Sequence, residues 1–130
     1  MKVIITSGKR KNAIARAKLT DGQGIIRVNS VLLDNYHPLM LKSKIMEPLD
    51  LAADVVDKVN ISVKVSGGGI SSQAEAIRLA IARALVEYNN KLEKVYLNYD
   101  RQLLVADVRR KEVCKPNDSK ARAKRQKSYR

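Results

Sequence analysis

The stretch "VNISVKVSGGGISSQAEAIRLAIARALVEY", residues 59–88, leaves the chain fewest choices. Its first seven residues alternate, with Val59, Ile61, Val63 and Val65 on one side and Asn60, Ser62 and Lys64 on the other. Period two with one apolar side predicts a strand with one buried face. Three glycines end it. Then the period changes: Ile70, Ala74, Ile77, Ile81, Ala84, Leu85 and Tyr88 recur at helical spacing, predicting one helix to about Tyr88 with Arg78 and Arg83 on its flanks. A one-faced strand that runs into an amphipathic helix must bury the two apolar sides against each other. The fold class that follows is α+β: two layers, a small mixed β-sheet with helices on one face.

The remaining elements are fitted around that unit. "VIITS" (3–7) reads as a short strand, and "AIARAKL" (13–19) alternates with Ala13, Ala15, Ala17 and Leu19 on one face. The Asp-Gly signal in "TDGQG" (20–24), followed by "IIRV" (25–28), predicts a hairpin between residues 13–19 and 25–28. Pro38 and Pro48 each suit a first helical turn, so two helices are expected over about 38–46 and 48–56. "LEKVYLNY" (92–99) predicts another short helix and "LLVAD" (103–107) a last strand. Apolar periodicity stops there. The expected organisation is a globular α+β domain over 1–107, with a basic N-terminal segment, and an extended basic tail over 108–130.

Charge follows the same division. The 130 residues carry a formal net charge of +13, distributed as +4 over 1–11, only +1 over 12–100 and +8 over 101–130. A near-neutral body with two cationic ends points to a polyanionic partner, which neutralises segments that otherwise stay unfolded. A solvated tail that merely aids solubility is the plainer reading, but both ends share one sign and no acid follows Asp118. Phe and Trp are absent, so the core must be built from aliphatic residues. A single cysteine, Cys114, and a single histidine, His37, offer no internal disulfide and no zinc cluster. No stretch approaches the ~18 apolar residues that read as a membrane span, and the first residues lack a signal-peptide pattern. A soluble intracellular protein without cofactor or metal is expected.

Two motifs carry the function. In "SGKRKNAIARA" (7–17), Lys9, Arg10 and Lys11 precede a strand that places Arg16 and Lys18 on one face, with no acid before Asp21. Such a stripe can follow a nucleic-acid backbone. In "SGGGISSQAEA", Gly67, Gly68 and Gly69 open a helix, a geometry that presents backbone N–H groups to an anion; Ser72 and Glu75 fit a capping box. A plain tight turn explains the glycines equally well, and the loop lacks the Lys-Ser/Thr ending of a P-loop. The scattered Asp and Glu residues form no catalytic pair, so no enzyme is predicted.

At "GKRKNAIARA" (8–17), "GGGISSQAEAIRLAIARAL" (67–85), "RRKE" (109–112) and "KARAKRQKSYR" (120–130) the chain resembles the ninth ribosomal protein of the small subunit over nearly its whole length. "IMEPL" (45–49) and the final Ser-Tyr-Arg resemble its archaeal and eukaryotic branch. The resemblance implies a left-handed βαβ crossover and a structural role in the cytoplasmic ribosome. Its partners would be small-subunit ribosomal RNA in the subunit head, neighbouring head proteins and peptidyl-site tRNA. Carried onto this sequence, ribosomal RNA would meet Lys9, Arg10, Lys11, Arg16, Lys18, Gly67, Gly68, Gly69, Arg109, Arg110, Lys111, Lys120, Arg122, Lys124 and Arg125. Lys127, Ser128, Tyr129 and Arg130 would lie beside the tRNA.

Overall fold

The computed structural model describes residues 2–117 and 120–122. Nine main elements follow in order: strands β1 (Val3–Arg10), β2 (Ala13–Asp21), β3 (Ile26–Val28) and β4 (Val31–Leu32), helices α1 (Leu39–Asp50) and α2 (Ala53–Val56), strand β5 (Val59–Ser66), and helices α3 (Ile70–Tyr88) and α4 (Leu92–Tyr99). The strands form one open sheet in the order β1-β2-β5-β3-β4. β2 runs antiparallel to both of its neighbours, β1 and β5, whereas β3 runs parallel to β5 through a crossover containing α1 and α2. The α+β fold with a mixed sheet is therefore the one the alternating patterns imply.

The hairpin expected around Asp21 and Gly22 does not form. β2 pairs instead with β5 over eight registers, from Ile14 opposite Ser66 to Asp21 opposite Val59, and β3 joins the far side of β5. An eight-residue strand with a clean apolar face offers β2 a longer ladder than three-residue β3 could. The Gly22–Ile25 loop bends as its sequence suggests, but is tied to β5. Gly22 and Gly24 donate to the Lys58 and Val59 carbonyls, while the Asn60 side-chain oxygen accepts from Gln23 and Ile25 at 2.9 and 3.0 Å. The hairpins that do form turn on Lys11–Asn12, with Lys11 at φ 51°, and on Asn29–Ser30, both at positive φ as a primed two-residue turn requires.

Alternation sorts the sheet residues by side. Ile4, Ala13, Ala15, Ala17, Leu19, Ile26, Val28, Val59, Ile61 and Val63 are buried under the helices. The small residues on β1 and β2 bring α3 very close: a Cβ on Gly8 would stand 2.3 Å from the Ala76 carbonyl oxygen, and the Thr6 hydroxyl donates to the Ala80 carbonyl at 2.8 Å. α3 is buried on more sides than its predicted stripe, through Ala76, Leu79, Ala80 and Ala82 as well, while Ile70 at its start is exposed.

Three further expectations are corrected. α1 runs unbroken from Leu39 to Asp50 with Pro48 inside its last turn, instead of ending at residue 46. Proline there removes only the bond to the carbonyl one turn back, while the carbonyls of the last turn, its own included, lack helical donors in any case. The Pro48 carbonyl accepts from the hydroxyl of fully buried Tyr96 at 2.7 Å, and burial pushes that phenol up. Residues 103–107 form no strand. A 3-10 turn, Arg101–Leu103, consumes their backbone donors: Leu103 N–H goes to Asp100, and those of Leu104 and Val105 go to Arg101. Finally, no capping box forms on α3: Gly69 is its N-cap, without a side-chain bond, and Ser72 lies inside the helix.

Candidate nucleic-acid interface

The uncovered face of the sheet is cationic. On β2 the outward residues are Ile14, Arg16 and Lys18; Arg16 lies opposite Lys64 of β5, and Lys18 lies opposite Ser62, which in turn pairs with Arg27 of β3. Lys9, opposite Ile14, extends the row at the β1 end. Arg16, Lys18, Arg27 and Lys64 are all exposed. No Asp or Glu shares this side of the ladder between residues 14–20 and 60–66, and none of the five cations lies in an ion pair among the described residues. Like charges directly opposite each other, as Arg16 and Lys64 are, disfavour a sheet. That cost turns into a gain once an anion lies across the pair.

The half-buried arginines on the covered side are already engaged. Arg10 alternates inward, its side chain only 15% exposed, and pairs with Glu75 at 2.6 Å and Asp107 at 3.5 Å. Glu75 also receives Lys44 at 3.5 Å. Arg78 joins Glu47 of α1 to Asp100 after α4. Arg83 donates to the Ser7 carbonyl at 2.9 Å and the Leu104 carbonyl at 3.1 Å, clipping the chain beyond α4 to β1. Consecutive basic residues Lys9, Arg10 and Lys11 are thus not equivalent: the pleat sends Arg10 alone into the fold.

The glycine loop has a steric reason. Gly67 and Gly68 have φ of 76° and 62°, and a Cβ on them would come within 2.6 Å of the Asn12 carbonyl oxygen and 2.9 Å of the Ala13 nitrogen. Both readings of the motif thus remain compatible with its shape, because the contact that demands glycine also lays the start of α3 beside the Lys11–Asn12 turn. Gly69 has open space where a Cβ would be. The Gln73 side chain holds the loop through the Gly67 carbonyl at 2.9 Å.

Beyond α4 the chain is fixed as far as Asp107. Hydrogen bonds from the Arg109 side chain and backbone, with Arg10 nearby, hold the Asp107 carboxyl well below the usual carboxylate range. The Arg109 side chain remains 80% exposed, and Arg110, Lys111 and Lys120 are exposed as well. Arg122 is exposed and pairs with Glu112 at 2.7 Å. Lys124, Arg125, Lys127, Ser128, Tyr129 and Arg130 lie outside the described residues. Arg27 and Lys64 were missed as site residues from sequence. The signal was present in the parity of their strands, but linking it to Arg16 and Lys18 requires knowing that β5 and β3 lie beside β2.

Arg10, Arg78 and Arg83 spent inside the fold and an acid-free open face with its cations unspent define a protein shaped to lie against a polyanion. The chain belongs to the family described as Ribosomal protein S9/S16, which matches residues 8–130. Among its relatives, Small ribosomal subunit protein uS9 of Methanococcus vannielii is 47% identical over 134 residues, and that of Thermoplasma volcanium 48% over 132. The same protein of Methanothrix thermoacetophila is 47% identical over 132 residues, and each of the three comparisons covers 100% of both chains. The chain is a structural constituent of the small ribosomal subunit, without enzymatic activity, and its place is the cytoplasmic ribosome. No helix among the described residues is long and apolar enough to cross a membrane.

Proposed function

We propose that the open sheet face and the Lys11–Asn12 and Gly67–Gly69 loops hold ribosomal RNA in the head of the small subunit, and that the tail runs through RNA to peptidyl-site tRNA. The acid-free row Lys9, Arg16, Lys18, Arg27 and Lys64 carries the first half of this reading. Arg109, Arg110, Lys111, Lys120, Arg122, Lys124 and Arg125 continue the cationic path. Lys127, Ser128, Tyr129 and Arg130 stand beside the tRNA. Arg10 serves by fixing the root of the tail through Asp107 and Glu75.

The physics suits a partner that varies in sequence. Lys and Arg contacts to phosphate position a nucleic acid without reading its bases, and the planar Arg fork binds phosphate with two hydrogen bonds. A tail end that meets tRNA in this way accepts every tRNA alike. Deleting residues 127–130 tests this: reconstituted subunits should assemble with a normal protein complement yet bind tRNA more weakly at the peptidyl site. Unchanged tRNA affinity in assembled, truncated subunits would remove the tail from the reading.

A further inference from the structure

A groove of opposite character to the sheet face lies on the helix side. Between the β3–β4 edge and helices α1 and α2 lies a cavity of about 430 Å³, floored by Ile26, Leu33, Met46, Leu49 and Val56. Leu32, at its rim, is 42% exposed. The charged residues that line it are Asp34, Asp50 and Asp57, and no Lys or Arg lines it. Asp50 and Asp57 have no ion-pair partner among the described residues, and Asp34, 91% exposed, meets only Lys42 at 3.7 Å. In a chain of net charge +13, most other acids on the helix side are consumed by internal pairs. Asp50 and Asp57 are not, and they border apolar surface.

We propose that this groove receives a basic, apolar-anchored segment of a neighbouring ribosomal protein. Charge complementarity selects the occupant. Phosphate is repelled by three carboxylates, so RNA does not fit; aliphatic or aromatic side chains fit the floor, and Lys or Arg beside them meet the rim. The chain's own tail is equally basic, but it leaves the fold beside β1, where Arg83 joins Ser7 to Leu104, at the opposite edge of the sheet from β3 and β4. The protein would then face RNA with its sheet and a protein with its β3–β4 edge. This goes beyond the RNA-binding reading and does not depend on it.

The test uses intact small subunits carrying the photo-crosslinker p-benzoylphenylalanine in place of Ala53, an exposed residue lining the groove. A second preparation carries it at Ser62, exposed on the open face. Mass spectrometry of the irradiated Ala53 preparation should identify a Lys- or Arg-rich segment of another ribosomal protein. Adding Asp50→Lys and Asp57→Lys should cut that crosslink about tenfold, the loss expected of two exposed charge pairs turned repulsive. The neutral pair Asp50→Asn and Asp57→Asn, which perturbs folding less, should cut it by a smaller factor. Crosslinks from Ala53 to RNA, to residues 108–130 of this chain or to a second copy would overturn the proposal. So would no crosslink in assembled subunits, or a yield indifferent to both acid pairs. Crosslinks from Ser62 report separately on the RNA face, so failure of either reading is told from failure of the other.

Discussion

Removing Arg16, Lys18 and Lys64 together isolates the open face. All three side chains are exposed and outside any ion pair among the described residues, so Arg16→Ala/Lys18→Ala/Lys64→Ala leaves the core untouched. It also relieves the like-charge opposition of Arg16 and Lys64, so the variant should melt no lower than the parent. Each cation that neutralises a phosphate contributes about 0.7–0.9 to the slope of log affinity against log salt. Three lost contacts should therefore lower the slope by about 2–3, and a fourfold rise in salt should cost the parent about 20–40-fold more affinity than the variant. The assay is filter binding of purified protein to a small-subunit ribosomal RNA fragment containing the head, over a salt series. Lys91→Ala/Lys94→Ala, which strips two exposed cations around α4, is the control for net charge alone and should change the slope little. A slope shift below about 0.5 in the triple variant, or an equal shift per charge in the control, would refute the sorting of cations by face.

Three further outcomes test the fold behind that face. Gly8→Ala places a Cβ 2.3 Å from the Ala76 carbonyl oxygen and should cost about 3 kcal/mol or more in urea unfolding; a loss under about 0.5 kcal/mol would show that β1 and α3 separate easily. Tyr96→Phe leaves the Pro48 carbonyl without its 2.7 Å partner in the core and should cost about 1–3 kcal/mol by the same measurement, with no effect pointing to water replacing the hydroxyl. Asp107→Asn should lower the melting temperature at neutral pH. Because folding holds the Asp107 carboxyl below its unfolded value of about 3.9, its contribution is complete above that pH and disappears as pH falls toward the folded value; parent and variant should converge there, and a constant difference through that range would contradict the assignment.

Much of this fold was legible because period and burial agree. The strand over 59–65 follows from alternation and the helix to Tyr88 from helical spacing, and α4 spans the predicted 92–99. The main failures come from competition for backbone groups, by a distant strand in one case and by a local turn in another. The Asp21-Gly22 turn signal is local, but β5 outcompetes β3 for the edge of β2. Residues 103–107 have strand composition, yet a 3-10 turn and Arg83 take their backbone groups first. Pro48 reads as a helix start because the contact that anchors it in a last turn, the Tyr96 hydroxyl donating to its carbonyl, comes from 48 residues away. On the interface, the cluster Lys9, Arg10 and Lys11 was visible, but only the pleat distinguishes Arg10, which turns in to Glu75, from Lys9. Arg27 and Lys64 needed the strand order to become neighbours of Lys18 and Arg16.

Lysine reactivity tests the division of cations most directly. Reductive methylation of the free protein and of intact small subunits, read residue by residue by mass spectrometry, compares the same amines with and without their surroundings. Lys18 and Lys64 should react readily in the free chain and become strongly protected in the subunit. If both remain as reactive in the subunit as in isolation, the open face does not lie against RNA.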